Sequence, residues 1–301
     1  MRTVPVCQNS AMNSSTRTPT STLTTRNHDR DSVGMRYVYP VVSRRAGGVS
    51  VGVNLNPNNA CNWRCIYCQV PDLKRGGPPP IDLAQLGDEL RRMLDDIVHG
   101  DFLTRVVPQE MRRLNDIALS GNGEPTSAAE FAEVVDLIGA VLAEFDLIGK
   151  IKLVLISNGS LAGKPRVRQA LSRMAQLNGE VWFKFDRATP DGMRAVNHSK
   201  TDPENHFQRL KTVSALCPTW IQTCMFALDD TPPAKVEIEA WLAMLSRAKV
   251  EQLPLRGVLL YGLARPSMQA EAPRLRQLPE AWLNDLAARV EALGWPIKVS
   301  V

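Results

Sequence analysis

The sequence of 301 residues contains no run that approaches the roughly 18 consecutive apolar residues of a membrane-spanning helix. Its N-terminus also lacks the apolar stretch of a secretory signal, which argues against export. These two absences predict a cytoplasmic protein with no membrane partner. With 44% hydrophobic residues, the chain is long enough to bury a sizeable core.

Excess charge is also missing from most of the chain, although the formal net charge is +5. Residues 1–60 contain seven arginines and two acidic residues, and the remaining 241 residues contain 29 basic and 29 acidic residues. Because phosphate binding through summed charge needs a basic domain, this neutral body favours a small-molecule substrate over a nucleic acid. A local basic patch would still allow RNA binding.

The first 34 residues show no helical or strand periodicity, and twelve of them are Ser or Thr. This composition predicts a disordered tail without catalytic residues. Met35 directly precedes the first segment whose sequence is typical of a folded region, so we hypothesise that translation starts there. A targeting leader is the alternative. The predicted organisation is therefore a tail over 1–34 and a single core domain over 35–301.

Strand-like and helix-like segments alternate beyond the tail, a pattern typical of a parallel sheet with crossover helices. Strands are predicted at 50–55, 116–120, 151–156, 180–186, 219–227 and 255–261, with a short last strand at 297–301. Helices are predicted after Asp82 as N-cap, after a capping box that opens at Ser127, after Asp202 and Pro203, at 234–248 and at 279–293. The fold class is α/β: six units predict a partial (β/α)6 TIM-like barrel, with its site at the C-terminal ends of the strands.

Six cysteines are too few for a disulfide scaffold in this chain, but Cys61, Cys65 and Cys68 lie within eight residues, directly after the first predicted strand. A structural zinc site needs four protein ligands, so Cys217, Cys224 or a histidine would have to complete it. We interpret Cys217 and Cys224 instead as small core residues. A 4Fe-4S cluster fits better, because three protein ligands leave one iron open to another molecule.

The spacing CxxxCxxC, with Tyr67 just before the last cysteine, resembles the radical S-adenosylmethionine superfamily over residues 51–265. The resemblance implies that Cys61, Cys65 and Cys68 ligate a catalytic 4Fe-4S cluster, and that Tyr67 packs near the adenine of S-adenosylmethionine. In that superfamily the open iron chelates S-adenosylmethionine. Its reductive cleavage leaves a 5'-deoxyadenosyl radical, which abstracts a substrate hydrogen atom.

A second motif carries the resemblance. It follows the second predicted strand and reads SGNGEPT at 120–126. It is similar to the superfamily's GGE motif, although Asn122 separates the two glycines. The resemblance implies that Gly121, Gly123 and Glu124 bind S-adenosylmethionine through its methionine amino group, since glycine allows a close backbone approach. Without the resemblance, the segment would be a turn before a helix, with Glu124 favourable to the helix dipole.

Polar residues at the ends of later strands complete the predicted cofactor site. Asn158 lies in a Ser-Asn-Gly segment that is either part of the site or only a turn. Asp186 resembles the residue of strand four that holds the ribose hydroxyls, although it could simply pair with Lys184 on the same strand face. Residues 195–198 resemble a family loop, and Arg265 could meet a carboxylate or phosphate.

Within the superfamily, SGNGEPT and the ends of strands five and six resemble most the radical enzymes around wybutosine synthesis. The implied function is a radical S-adenosylmethionine enzyme of unidentified, small substrate, reduced by a donor such as flavodoxin or ferredoxin. Upstream of Cys61 the chain has only Cys7, whereas those relatives carry a further set of cluster cysteines there. Two alternatives stay open: an RNA-modifying enzyme of the wybutosine type and a non-catalytic metal-binding module.

Overall fold

The computed structural model describes residues 23–24, 33–43 and 47–300. The strands are β1 Val38–Ser43, β2 Gly48–Val53, β3 Ala60–Cys61, β4 Lys74–Arg75, β5 Leu114–Leu119, β6 Lys152–Ser157, β7 Gly179–Lys184, β8 Thr219–Cys224, β9 Ala227–Leu228, β10 Leu255–Tyr261, β11 Leu275–Arg276 and β12 Ile297–Ser300. The helices are α1 Leu83–Val98, α2 Phe102–Val106, α3 Phe131–Glu144, α4 Pro165–Gln176, α5 Pro190–Asn197, α6 Pro203–Leu216, α7 Lys235–Val250 and α8 Glu280–Ala292. Within the described ranges, no helix is long and apolar enough to cross a membrane.

Eight strands of the described chain form one sheet in the order β1, β2, β5, β6, β7, β8, β10, β12. Neighbours pair in parallel, except that β1 lies antiparallel to β2 at one edge. Because right-handed crossovers between successive parallel strands place their helices on one face, the sheet becomes a partial barrel with its helices outside. The predicted α/β partial barrel of six units is confirmed, and β1 is an additional strand that the sequence did not indicate.

The main hydrophobic core lies between the outer face of the sheet and the helices. Strand residues such as Ile117 and Phe183 pack there with helix residues such as Leu90 and Leu171. Side chains alternate between the two sheet faces at the end of β7, because Phe183 and Phe185 belong to this core whereas Trp182 faces the opposite side. The larger of the two apolar clusters in contact with the sheet therefore lies on its outer face.

The inner face of the sheet changes character along the barrel. Its deeper layer is an apolar cluster of Ala118, Val154, Trp182 and Leu259, with Ile156 and Trp220 packed against it. Side chains two residues apart on a strand share a face. The next inner layer toward the C-terminal ends of the strands therefore contains, besides Ile156, the polar residues Ser120, Lys184, Gln222 and Tyr261, which we call the polar layer. The barrel interior is apolar at its base and polar below the site.

Two of the predicted helix starts are confirmed by their capping hydrogen bonds. The Asp82 carboxylate accepts from the Gln85 N–H at 3.0 Å at the start of α1. Asp202 caps α6 in the same way, with Pro203 as the first helical residue. Such caps are readable in a sequence because they satisfy N–H groups that have no partner inside the helix.

The capping box predicted at Ser127 is wrong. Pro125–Ser127 forms a short 3-10 turn capped by Glu124, and α3 begins only at Phe131. The Ser127 hydroxyl donates to the Glu124 carbonyl at 2.5 Å, so it serves the turn and not the helix. Residues 195–198 also differ from the expected loop, because they form the last turn of α5 and its left-handed C-cap, His198.

The predicted tail lies almost entirely outside the described residues. Leu23 is one described position, and it is only 4% exposed within the main core, where Val33 is also buried. The Leu23 N–H donates to the Val106 carbonyl at 2.8 Å. These two residues pack against the domain, whereas disorder over 1–34 and a start at Met35 stay predictions.

Candidate active site

A cavity of about 300 Å³ lies at the C-terminal ends of the barrel strands, between the cysteine loop (residues 56–70) and the polar layer. Nine of the ten predicted site residues line it: Cys61, Cys65, Tyr67, Cys68, Gly121, Gly123, Glu124, Asn158 and Arg265. The tenth, Asp186, is buried behind Tyr67. Residues from four separate parts of the chain thus meet at one place, as a partial barrel requires.

The three clustered cysteines are free thiols at the wall of this cavity. Burial raises the pKa of Cys61 to about 11 and that of Cys65 to about 12. The Cys61 and Cys65 thiols are therefore protonated at neutral pH until a metal centre displaces their protons. Across the described residues, no group of three His, Cys, Asp or Glu side chains is arranged to hold a single metal ion.

Asparagine side chains fix the entrance of the cysteine loop. The Asn54 side-chain oxygen accepts the backbone N–H of Asn56 at 3.1 Å and that of Asn122 at 3.0 Å. Asn56 donates to the Ala60 carbonyl at 2.9 Å, next to the first cysteine. Short amide side chains suit such turns because they reach backbone groups two to four residues away. The asparagine-rich text before Cys61 therefore has a structural role.

The far side of the cysteine loop is held by the end of α5 and by the segment after β10. The Ile66 N–H donates to the Val196 carbonyl at 2.9 Å, and the Ser267 hydroxyl donates to the Ile66 carbonyl at 2.7 Å. Arg64 forms a bidentate ion pair with Glu271, with N–O distances of 2.8 and 2.9 Å. A loop held at both ends keeps its thiols in place, which favours binding of a rigid metal centre.

The two glycines of SGNGEPT allow the segment after β5 to pack directly on the cysteine loop. Gly121 has φ of +144°, and a Cβ atom there would lie 2.4 Å from the Asn54 side-chain oxygen. A Cβ atom on Gly123 would lie 2.1 Å from the Ala60 carbonyl oxygen. The sequence predicted close approach to a ligand, and the structure shows that glycine is already required for close approach to the protein.

Glu124 is 2% exposed, and its carboxylate joins the ends of two strands. One oxygen accepts the hydroxyls of Thr126 at 2.6 Å and Ser157 at 2.7 Å, and the other accepts the Asn158 N–H at 2.7 Å. Burial raises the pKa of Glu124, and these donors act against that rise. Asn158 in turn donates to the Asn62 side chain at 2.8 Å. Glu124 therefore links the ends of β5 and β6 to the cysteine loop.

Asp186 occupies a second buried hydrogen-bond network. Its carboxylate accepts the Tyr67 hydroxyl at 2.5 Å, the Asn197 side-chain amide at 2.8 Å and the Cys224 N–H at 2.9 Å. Asn197 also donates to the Cys65 sulfur at 3.2 Å. The sequence pattern at 195–198 did not indicate this contact, because only the fold brings α5 beside the cysteine loop.

Lys184 contacts Tyr261 instead of pairing directly with Asp186, the arrangement that the sequence allowed. Its ammonium group donates to the Tyr261 hydroxyl at 3.1 Å and lies 5.0 Å from the centre of the Tyr67 ring. Although burial by itself lowers the pKa of Lys184, Tyr261 and Asp186 raise it above the ordinary lysine value. Lys184 therefore supplies a fixed positive charge to the cavity, which it lines.

Of the other cysteines, Cys217 and Cys224 lie in the described part of the chain, and both are buried, as predicted. Cys217 is 3% exposed and packs in the main core. Cys224 is 1% exposed, lies with Ile66 and Phe226 in a smaller apolar cluster, and also borders the cavity. Cys224 is therefore a core residue that the sequence could not place beside the site.

A second cavity, of about 700 Å³, lies beside the cysteine loop. Its lining includes the basic residues Arg75, Lys200 and Arg209 together with His198. Arg75 donates to the Asn62 and His198 carbonyls at 2.5 and 2.6 Å, which ties β4 to both. The neutral composition of the body therefore does contain a local concentration of basic side chains.

His206 is fully buried beneath the cysteine loop. Its ring lies 5.4 Å from that of Trp63, 4.8 Å from Phe183 and 4.5 Å from Phe185 between ring centres, and its Nε2–H donates to the Lys184 carbonyl at 2.9 Å. Burial lowers the pKa of His206 from 6.5 to about 4. This histidine therefore stays neutral in the folded protein at pH values where the unfolded chain is protonated.

We expect the free energy of unfolding to be constant above about pH 6.5 and to fall by roughly 3 kcal/mol as the pH decreases toward 4, because protonation of His206 favours the unfolded state. Urea unfolding at pH 7.5, 6 and 5 measures this dependence. His206→Gln should flatten it, whereas His99→Gln on the exposed end of α1 should leave it unchanged. An equal slope in wild type and His206→Gln would contradict the assignment.

No family model matches the chain. Over 137 residues it is 30% identical to a UPF0026 protein of Helicobacter pylori, a match that covers 44% of this chain and 37% of that protein. Over 161 residues it is 29% identical to a UPF0026 protein of Synechocystis, covering 53% of this chain and 52% of that protein. The matches thus span about half, or less, of the length of these curated relatives.

Two solved structures share the fold at low sequence identity. TYW1 with a lysine-pyruvate adduct bound has a TM-score of 0.53 at 16% identity, and the match covers 82% of this chain and 74% of that chain. A radical SAM methyltransferase from Sphaerobacter thermophilus has a TM-score of 0.55 at 12% identity, covering 87% and 68%. The chain therefore has the partial-barrel fold of radical S-adenosylmethionine enzymes. The predicted partial barrel is thereby confirmed, and the CxxxCxxC loop lies after β2, where the resemblance to that superfamily placed it.

Proposed function

We propose that the protein is a radical S-adenosylmethionine enzyme that acts on a small substrate. The observation that carries the proposal is that three thiols of one anchored loop line the same cavity as residues 121–124. A structural zinc ion requires four protein ligands, whereas a 4Fe-4S cluster held by three thiolates keeps one iron open to a ligand in the cavity. Cys61, Cys65 and Cys68 therefore fit a cluster better than they fit a structural zinc ion.

Different residues of the cavity would then contact different parts of the bound cofactor. When bound, the cluster and S-adenosylmethionine would supply one-electron reduction and hydrogen abstraction. Gly121 and Gly123 would offer backbone groups to the methionine end, where Glu124 and Asn158 hold the wall in place. On the opposite wall, Tyr67 would pack near the adenine. These glycines already lie against the cysteine loop, so cofactor and cluster would be adjacent.

Asp186 and Arg265 would complete the cofactor site in different ways. Asp186 uses its carboxylate to hold Tyr67 and Asn197, so we assign it to positioning the adenine wall. Arg265 lines the cavity in the segment after β10 and could bind a carboxylate. Both residues would help to exclude water, which protects a reactive intermediate from side reactions.

Anaerobic reconstitution with iron and sulfide, reduction by dithionite and addition of S-adenosylmethionine test the proposed function. We expect about four irons per chain, in keeping with a 4Fe-4S cluster, and release of 5'-deoxyadenosine that depends on the reductant. Bound zinc in place of iron would favour the metal-binding module. A cluster without any cleavage of S-adenosylmethionine, in the presence of candidate substrates, would also contradict the proposal.

The basic cavity beside the cysteine loop supports two partner proposals. An electron donor with an acidic surface, such as flavodoxin or ferredoxin, could dock on Arg75, Lys200 and Arg209 close to the cluster. The positive charge of the same residues also favours the RNA-modifying alternative, because it could bind phosphate groups. Binding of tRNA that weakens steeply with salt, and that fails in Arg209→Ala, would support RNA. Binding of reduced flavodoxin alone would support the donor.

The hydrogen bond from Asn197 to the Cys65 sulfur gives a separate prediction. Amide N–H groups that donate to cluster sulfurs raise the reduction potential. Asn197→Leu should therefore shift the potential of the cluster to more negative values, and reductive cleavage of S-adenosylmethionine should fall about 10- to 100-fold, as for other contacts that orient metal ligands. A redox titration followed by electron paramagnetic resonance measures the shift. Asn284→Leu on the exposed face of α8 is the control and should leave the potential unchanged.

A further inference from the structure

The cysteine side of the cavity accounts for only part of its lining. The polar layer lies on the other side, and all its members, Ser120, Lys184, Gln222 and Tyr261, line the cavity. A barrel interior that is apolar at its base has no packing reason to become polar here. Polar groups at this level indicate that another molecule binds against them.

Gln222 provides the most direct sign of a missing ligand. It is 2% exposed, and its side-chain Oε1 is buried without a hydrogen-bond partner among the described residues. Buried amide groups are normally hydrogen-bonded, so this oxygen is expected to gain a donor when the cavity is filled. A hydroxyl or amino group of a ligand can provide that donor.

Lys184 lies beside Gln222 and adds charge to the same place. The two residues are register partners on β7 and β8, and neighbouring strands lie roughly 4.8 Å apart. Tyr261 accepts one N–H of the ammonium group, which has three to give. The nearby Asp186 carboxylate is used by Tyr67, Asn197 and the Cys224 N–H. A ligand anion can therefore accept from Lys184.

We propose that Lys184 and Gln222 form a substrate subsite for a small carboxylic acid with a hydroxyl or amino group on the carbon next to its carboxylate. The carboxylate would accept from the Lys184 ammonium group, and the neighbouring group would donate to Gln222 Oε1. Groups on adjacent carbons suit the two side chains because Lys184 and Gln222 are register partners on neighbouring strands. The inference rests on the proposed function, because it assigns the cysteine side of the cavity to the cofactor.

Ligand-observed NMR on the reconstituted protein with saturating S-adenosylmethionine tests this subsite. The probes are glycolate, lactate, 2-hydroxybutanoate and phenyllactate, each compared with its primary amide and with the acid that lacks the hydroxyl. We expect at least one 2-hydroxy acid to bind about 10-fold more tightly than its amide, the effect of one charge-assisted hydrogen bond, and more tightly than the acid without the hydroxyl. Equal binding of every acid and its amide would overturn the proposal.

Two variants assign the preference to the named residues. Lys184→Met should abolish the preference for the acid over the amide, and Gln222→Leu should abolish the preference for the hydroxyl. Gln222→Glu should also prevent binding of the acid, because its carboxylate would pair with Lys184 in a folded protein. Lys152→Met, at the exposed start of β6, is the matched control and should behave as wild type.

The affinity for S-adenosylmethionine separates this subsite from the cofactor site. It should change less than about 2-fold in Lys184→Met, which lies below the discrimination of a single hydrogen bond. Loss of cofactor binding with the acid preference retained would assign Lys184 to the cofactor and overturn the subsite. The two proposals also fail separately. Cleavage of S-adenosylmethionine without acid preference contradicts only the subsite, whereas acid preference in a protein that forms no cluster contradicts only the proposed function.

Discussion

Replacement of Cys65 by alanine is expected to remove the cluster and to lower release of 5'-deoxyadenosine at least about 100-fold, more than the loss of an outer contact to a metal ligand would. Cys65 is the central thiol of the loop, and its sulfur also accepts the Asn197 amide. Without it, the cluster would keep two protein ligands, too few to hold it in the cavity. Iron content and 5'-deoxyadenosine, measured together after reconstitution, check both consequences.

Cys217→Ala is the matched control for this prediction. Cys217 is also a buried free thiol, but it packs in the main core away from the cavity. Its substitution should lower the free energy of unfolding by about 1 kcal/mol, as is common for small core truncations, and leave iron content and cleavage intact. If Cys65→Ala kept a full cluster, or if Cys217→Ala lost it, the assignment of the three loop cysteines would be wrong.

Gly123→Ala is expected to disturb the site without touching any of its charged groups. The new methyl carbon would lie 2.1 Å from the Ala60 carbonyl oxygen and 2.6 Å from the Asn56 side chain. Since the first of these atoms is backbone, the cysteine loop or the segment after β5 must move. We expect a loss of about 1–3 kcal/mol of stability, the usual effect of overpacking, together with incomplete cluster assembly at the neighbouring Cys61.

Gly77→Ala measures the effect of the same chemical change where space is free. No atom lies within 4 Å of the position that its Cβ would occupy. Stability and iron content should therefore match the wild type within about 0.5 kcal/mol and within the error of the iron assay. A Gly123→Ala protein that behaves like Gly77→Ala would show that the cysteine loop can shift freely, contrary to its hydrogen bonds.

The parts of the site that were predictable are those whose residues lie close together in the sequence. The chemistry of the cysteine loop was readable because its ligands are close in sequence, and nine of the ten predicted residues do line one cavity. The roles of Gly123 and Glu124 were less readable. Each contacts residues more than 30 positions away, such as Ala60 and Ser157, and such contacts leave no local pattern.

The sequence by itself determined the alternation of the six barrel strands with helices, the caps at Asp82 and Asp202, and the position of the cysteines after the first barrel strand. These are local properties, because strand alternation and N-caps depend on neighbours within a few residues. The errors at Ser127 and at residues 195–198 have the complementary cause. There, the segment follows tertiary hydrogen bonds and the packing of α5 on the cysteine loop.

Only the tertiary structure decided what surrounds the thiols. It buried His206 under Trp63, brought Asn197 to Cys65, and set Lys184 beside Gln222 on neighbouring strands. Each of these pairs is separated by at least 38 positions in the chain, so its geometry depends on barrel closure and not on local preference. The sequence therefore determined which chemistry the cysteines could support. The fold decided which side chains contact the thiols and which line the cavity beside them.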